Sequence, residues 1–174
     1  MSFSRLYLGI GIMLTLLLAG GIGYYVFFVQ PTEGAVSFEN QYDLVLKEYD
    51  GTEVELSEFK RTLLLVHVWA SWCPYCKEEL QNLARLKEIH GDDISIIAVN
   101  RAESLAEAKT FTDLLQLPDS ISLLLDPEDA FYKDIGGYAM PETIFINEKG
   151  EIIFHQRGPM KFSEVTERIK LMLE

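Results

Sequence analysis

A mixed α/β domain behind one membrane-spanning helix is the fold class this sequence predicts, and three observations predict it. Leu6–Val29 is a 24-residue run without a charge. Behind it, short apolar runs of strand length alternate with segments of helical periodicity, the pattern of strands covered by helices. The chain then closes with two runs about a turn at Asn147–Gly150 and a last amphipathic helix. A length of 174 residues accommodates one ordinary domain and an appendage. With 48% hydrophobic and 24% charged residues, the composition is that of a globular chain, not a disordered one. The formal net charge is −12, and Arg5 is the sole charged side chain of residues 1–29, so removing its +1 leaves −13 for residues 30–174. A domain this acidic lacks the basic footprint that nucleic-acid binding requires.

At helical rise, 24 residues reach roughly 36 Å, enough to cross a hydrocarbon core of roughly 30 Å with some tilt. A cleaved signal peptide is the alternative, with Ala19 and Gly21 at its cleavage site. Its apolar region would be shorter, about 7–15 residues, whereas Ile22–Val29 continues apolar and sets Tyr24 and Tyr25 near the far interface. The reading is therefore an uncleaved signal-anchor over residues 1–29. Arg5 precedes the span and the next basic residue is Lys47, a bias that leaves the N-terminus cytoplasmic and the domain extracytoplasmic. Gly11, Thr15, Ala19 and Gly23 form a small-residue stripe suited to packing against another helix.

Residues 30–40 read as a tether, with Pro31 and Gly34, and residues 41–174 as the folded domain. Asp43–Leu46 and Glu53–Leu56 flank Asp50-Gly51, a hairpin turn signal. Leu63–Trp69 is the continuous apolar run of a buried parallel strand. Pro74 suits the first position of a helix, on which Cys76, Leu80, Leu83 and Ala84 share a stripe. Ile94–Val99 is a second buried strand. Ser104 caps a helix to about Leu115, and Ser122–Leu125 is a strand. Asp129–Ile135 is a short helix ended by Gly136-Gly137. Thr143–Ile146 and Ile152–His155 form the closing hairpin, and Ser163 opens the final helix to Leu173.

The two cysteines, Cys73 and Cys76, stand in WASWCPYCKEE. A structural disulfide gains most by closing a long loop, and two intervening residues close almost none. A structural zinc site needs four ligands, and His67, His90 and His155 form no spaced histidine pair. The redox reading has a mechanism. At a helix N-terminus, unpaired amides and the helix dipole lower the Cys73 thiol pKa and make it the nucleophile. Cys76, carried inward on the stripe, then resolves a mixed disulfide formed at Cys73. A lone C-x-x-C beside alternating strands and helices is the thioredoxin-like redox signature.

On VHVWASWCPYC (Val66–Cys76), the hairpin before it and YAMPETIFINEKGEI (Tyr138–Ile152), the sequence resembles thioredoxin-fold proteins, and most of all the membrane-anchored TlpA/ResA/CcmG group of bacterial thiol–disulfide oxidoreductases. The resemblance implies a central mixed sheet flanked by helices, with an N-terminal β-hairpin (Asp43–Leu56) and an inserted helix–strand unit (Ser104–Leu125). It implies a cis bond before Pro141, facing the redox pair, with the Met140 backbone hydrogen-bonding an extended substrate as an added strand. Trp72 would shield the Cys73 sulfur, and Trp69 would pack beneath the motif, where plain core packing is its other reading. Pro74 and Tyr75, the pair typical of glutaredoxins, help set the potential and leave the direction of electron flow open.

Glu79 matches an acidic residue that TlpA-like reductases carry three positions after the second cysteine. That spacing shares a helix face, so its carboxylate can exchange a proton with Cys76; the plainer reading is a solvated first-turn acid. His67 departs from the family, since thioredoxins carry aspartate there and many TlpA-like proteins asparagine. It falls on the buried face with Leu63, Leu65 and Trp69, as a proton relay or as a hydrogen-bonded core residue. His90 and His155 read as surface residues without a role.

These residues imply an enzyme with catalytic Cys73, Cys76, Glu79 and His67 and substrate-binding Trp72, Pro74, Tyr75, Met140 and Pro141, needing no cofactor and no metal. The expected role is an extracytoplasmic reductant of protein disulfides, such as those of apocytochrome c, re-reduced by a membrane electron donor of DsbD or CcdA type. The alternatives are a general oxidase or isomerase of secreted proteins, and a Cu(I) chaperone using Cys73, Cys76 and Met140. Against the last stand the C-x-x-C spacing and a Gly136–Pro141 segment with no histidine.

Overall fold

A computed structural model describes Met13, residues 45–59 and residues 62–174. By internal contacts the chain divides into Met1–Ala35 and Val36–Glu174. The expected membrane span, its small-residue stripe and the tether lie outside the described residues, apart from Met13, which is helical. Among the described residues no helix is long and apolar enough to cross a membrane.

Asp50-Gly51 turns the chain between β1 (Val45–Glu48) and β2 (Glu53–Glu55), with Gly51 at φ +91°, where a side chain would be strained. The Asp50 carboxylate accepts the Thr52 amide at 2.8 Å. A 3₁₀ turn, Leu56–Phe59, leads towards β3 (Leu63–Trp69), and all seven residues of β3 are buried. That is expected of a central strand covered on both faces.

The remaining strands are β4 (Ile94–Arg101), β5 (Ser122–Asp126), β6 (Glu142–Asn147) and β7 (Ile152–Arg157). They form one seven-stranded mixed sheet in the order β2-β1-β5-β4-β3-β6-β7. Strands β3, β4 and β5 are parallel, and β6 and β7 add antiparallel to β3. The hairpin β1–β2 joins through β1 antiparallel to β5. Thus the expected insertion, helix plus β5, supplies the strand that links the N-terminal hairpin to the centre. This is the thioredoxin-like α/β fold the sequence led to expect.

Helix α1 (Cys76–His90) ends at Gly91, whose amide bonds Lys87 O, while the Lys87 ammonium donates to the Gly91 and Ile94 carbonyls. Helix α2 (Leu105–Leu115) starts at the capping box of Ser104 and Glu107. Helix α3 is Ala130–Asp134, and α4 is Phe162–Leu173 with Lys161 as its cap, one residue earlier than expected from Ser163. Two apolar clusters sandwich the sheet. Residues of α1, α2 and α4 pack with Leu63, Leu65, Trp69 and Phe145 on one face. Phe131 and Tyr132 of α3, with Leu56, pack with Leu64, Val66, Val68, Ile144 and Ile146 on the other. Alternation along β3 and β6 therefore decides which face each polar residue of the centre meets.

Candidate active site

The chain leaves β3 at Trp69 and turns through Ala70–Trp72 to Cys73, whose amide bonds Ala70 O at 3.1 Å. Glu103, itself 9% exposed, anchors that turn. Its carboxylate accepts the Ser71 amide at 2.8 Å, the Ser71 hydroxyl at 2.5 Å and the Asn100 side-chain amide at 2.6 Å. Trp69 is fully buried and stacks on Phe111 with centroids 5.3 Å apart, so it packs beneath the motif.

Cys73 and Cys76 are joined in a disulfide and both are buried. The helix proper begins at Cys76, with Tyr75 as its cap, and Pro74-Tyr75 forms a lead-in turn closed by Cys76 N–H to Cys73 O at 3.3 Å. Pro74 is thus not the first helical residue: Cys76 N–H bonds a carbonyl three residues back, and the first four-residue helical bond runs from Glu79 N–H to Tyr75 O at 3.2 Å. Cys73 still sits at the amino end of α1. Trp72 and Tyr75 are 60% and 54% exposed, while Cys73 beside them is buried. Pro74 is exposed as well, which leaves Trp72, Pro74 and Tyr75 as the outward rim of the site.

One turn beyond Cys76, Glu79 is 7% exposed, so the solvated-acid reading fails. Its Oε1 accepts the Met160 amide at 2.6 Å, and its Oε2 lies 3.6 Å from His67 Nδ1. Burial pushes the Glu79 carboxyl up to about 7, with the Met160 amide opposing and the Glu78 charge adding. His67 is fully buried, as the strand alternation predicts, and faces Thr143 across the β3–β6 register, its Nδ1 3.0 Å from the Thr143 hydroxyl. Burial pushes the imidazole down to about 3. The 3.6 Å separation is of ion-pair length, but an imidazole that remains neutral at physiological pH makes this a polar contact and not a salt bridge. His67 Nε2 has no hydrogen-bond partner among the described residues.

The second half of the site is the segment before β6. The Met140–Pro141 bond is cis, Pro141 is buried, and Met140 packs against the cluster that holds both cysteines. Among the described residues no hydrogen bond engages the Met140 backbone, so its N–H and C=O are free for another chain. Glu142 follows, fully buried. Its Oε1 accepts the Tyr138 and Ala139 amides at 2.8 and 2.7 Å, and its Oε2 lies 2.6 Å from His155 Nε2. Burial pushes the Glu142 carboxyl up, but His155 and the two amides together overcome it and hold it below the ordinary carboxylate value. His155 is therefore not the bare surface residue expected, because its side chain, 11% exposed, turns in towards Glu142. His90, expected at the surface too, is half-buried, with its Nε2 covered.

Of the residues singled out in the sequence, the structure pairs Cys73 with Cys76, sets Glu79 beside His67 and makes the bond before Pro141 cis, whereas the contacts of Glu103, Asn100, Glu142 and His155 were not foreseen. The available signals were an apolar strand running into Asn-x-x-Glu, and a glutamate inside an otherwise apolar strand directly after Pro141. Among the described residues no group of three or more His, Cys, Asp or Glu side chains is placed to hold a metal ion.

Residues 35–169 match the Redoxin family profile. The chain belongs to the Redoxin family. Within it, the protein is a thioredoxin-like member of the TlpA/ResA/CcmG group of thiol–disulfide oxidoreductases. It is similar to thiol-disulfide oxidoreductase ResA of Halalkalibacterium halodurans, at 29% identity over 97% of this chain and 95% of the relative. It is also similar to ResA of Bacillus subtilis, at 26% identity over 97% and 93% of the two chains. Among solved structures, MTB dsbF superposes with a TM-score of 0.69 at 20% identity, over 76% of this chain and 96% of that one, a likeness of fold. The Redoxin match spans both cysteines, Glu79, His67 and the Met140–Glu142 segment.

Proposed function

We propose that the protein reduces disulfides of extracytoplasmic polypeptides, including those of apocytochrome c, while anchored by residues 1–29 with its N-terminus in the cytoplasm. The observation that carries this reading is the buried Cys73–Cys76 pair at the head of α1, with a carboxyl whose pKa is about 7 one turn behind it. The names of the ResA relatives and the uncharged N-terminal run support it.

In the reduced protein, Cys73 thiolate attacks one sulfur of the substrate disulfide, forming a mixed disulfide and expelling the other substrate sulfur as a thiolate. Cys76 then passes its proton to the Glu79 carboxylate and attacks Cys73 Sγ. The Cys73–Cys76 bond forms and the second substrate sulfur leaves. The substrate gains two electrons and, with two protons, becomes a dithiol, while the protein ends in the oxidised state described above. A donor of DsbD or CcdA type returns the two electrons. Glu79 suits the transfer because a group with a pKa near the working pH both takes and releases protons readily. Neutral His67, in contact with it, keeps a positive charge away and so preserves that poise. The substrate strand lies along the Met140 backbone, with Trp72, Pro74 and Tyr75 as its outer contacts.

Equilibrating the protein in defined redox buffers tests the direction of electron flow. A potential near or below that of thioredoxin, about −270 mV, supports the reductant. One near that of DsbA, about −120 mV, sinks it in favour of an anchored oxidase of secreted proteins.

A further inference from the structure

A buried ionised carboxylate is tolerated where its charge is paired and its lone pairs are filled. Glu142 meets that condition through three donors drawn from two places in the fold: the amides of Tyr138 and Ala139, and the ring of His155 on β7. Glu142 alternates with Ile144 and Ile146, which puts it on the sheet face away from Glu79. His155 pairs with Ile144 in the β6–β7 register, so it reaches Glu142 diagonally along that face. From the other side the Tyr132 hydroxyl of α3 donates to Ala139 O at 2.8 Å, and Gly158 N–H bonds Pro141 O at 2.8 Å. Arg157 stacks over Tyr138, 5.0 Å from the ring centroid. Tyr138, Ala139 and Pro141 are thus each held through at least one backbone group, whereas among the described residues neither the N–H nor the C=O of Met140 has a partner.

We propose that His155 is a positioning residue for substrate: through Glu142 it holds the Tyr138–Pro141 segment extended, so that the Met140 backbone meets an incoming polypeptide already ordered. The inference rests on the reading above that Cys73 acts on polypeptide disulfides. His155 touches neither the substrate nor the cysteines. Its contribution is preorganisation, which raises affinity by removing an ordering cost that binding would otherwise meet. A small disulfide that reaches Cys73 without pairing to Met140 gains nothing from it.

The test uses the full chain in detergent, reduced beforehand and mixed with either a twelve-residue peptide closed by a C-x-x-C disulfide or Ellman's disulfide. For His155→Ala the peptide concentration at half-saturation is expected to rise about tenfold with the limiting rate unchanged, the effect of losing preorganised binding. Its rate with Ellman's disulfide and its reduction potential stay at wild-type values. His155→Gln, which keeps a donor at the same reach, recovers most of the peptide affinity. An unchanged half-saturation in His155→Ala, or equal losses for both disulfides, overturns the proposal.

Amide exchange on the unmutated protein provides an arm that needs no variant to fold. Protected Tyr138 and Ala139 amides support the positioning network, and exchange at the rate of free peptide overturns it. If wild-type protein reduces Ellman's disulfide but never the peptide, the polypeptide-reductase reading fails, and positioning is then decided by the exchange result alone.

Discussion

Glu79 and Glu142 are both glutamates, both buried and both within three residues of the redox machinery, one after Cys76 and one directly after Pro141. Burial wins at Glu79, where a single amide opposes it and the pKa rises to about 7. Hydrogen bonding wins at Glu142, where two amides and His155 outweigh burial and the carboxylate stays ionised. The residue type is the same, so the number of donors decides whether a buried acid holds a proton to trade or a charge to build with. The first suits chemistry under the cysteines, and the second suits construction of the substrate segment.

The largest effect that would break this contrast is on stability. Glu142→Ala strands two loop amides and the His155 ring, whereas Glu79→Ala strands the Met160 amide alone, at about 1–3 kcal/mol for each buried donor left unpaired. Urea unfolding is expected to show Glu142→Ala as the more damaging, by up to about two such increments. Equal losses would mean that the two sites are not built differently.

Kinetics sharpens it next. With Glu79→Gln at pH 7, formation of the mixed disulfide at Cys73 proceeds at the wild-type rate while its resolution by Cys76 slows about 100-fold, the scale of a lost general base. Quenched-flow counting of the mixed disulfide measures both steps. Resolution unaffected by the substitution would remove Glu79 from the mechanism.

The pH dependence of stability sharpens the contrast last. Folded Glu79 keeps its proton up to about 7, while the unfolded chain releases it near 4.5. Its contribution is therefore full below about 4.5 and is lost as pH rises through about 7. His67 acts in the opposite sense. Folded, it stays neutral down to about 3, whereas the unfolded ring protonates near 6.5, so stability is lost as pH falls from about 6.5 through about 3. Unfolding curves across this range should lose their high-pH decline in Glu79→Gln and soften their acid decline in His67→Asn. A wild-type decline that persists unchanged in Glu79→Gln would show that Glu79 titrates at its ordinary value.

Much of this was legible in the chain because the signals are local. Leu63–Trp69 reads as a buried strand from composition alone, Asp50-Gly51 names its turn, and Ser104 with Glu107 announces the start of α2. The boundaries that shifted lie at element ends, as at Pro74, where a turn closed by Cys76 N–H to Cys73 O precedes the helix at Cys76. A period of 2 placed His67 on its buried face, and helical spacing put Glu79 on the face of Cys76 while leaving a solvated acid open, but periodicity says nothing about which atoms meet.

The sequence by itself determined the order of strands and helices and the cysteine pair at a helix head, since each rests on spacing within one segment, while the proline facing the pair was implied by the family resemblance. Tertiary structure alone decided that Glu79 meets Met160 across 81 positions, that Glu103 pins Ser71 across 32, and that Glu142 draws His155 inward across 13. The physical reason is that a buried charge is set by the donors around it, and those donors arrive from distant segments when the sheet closes.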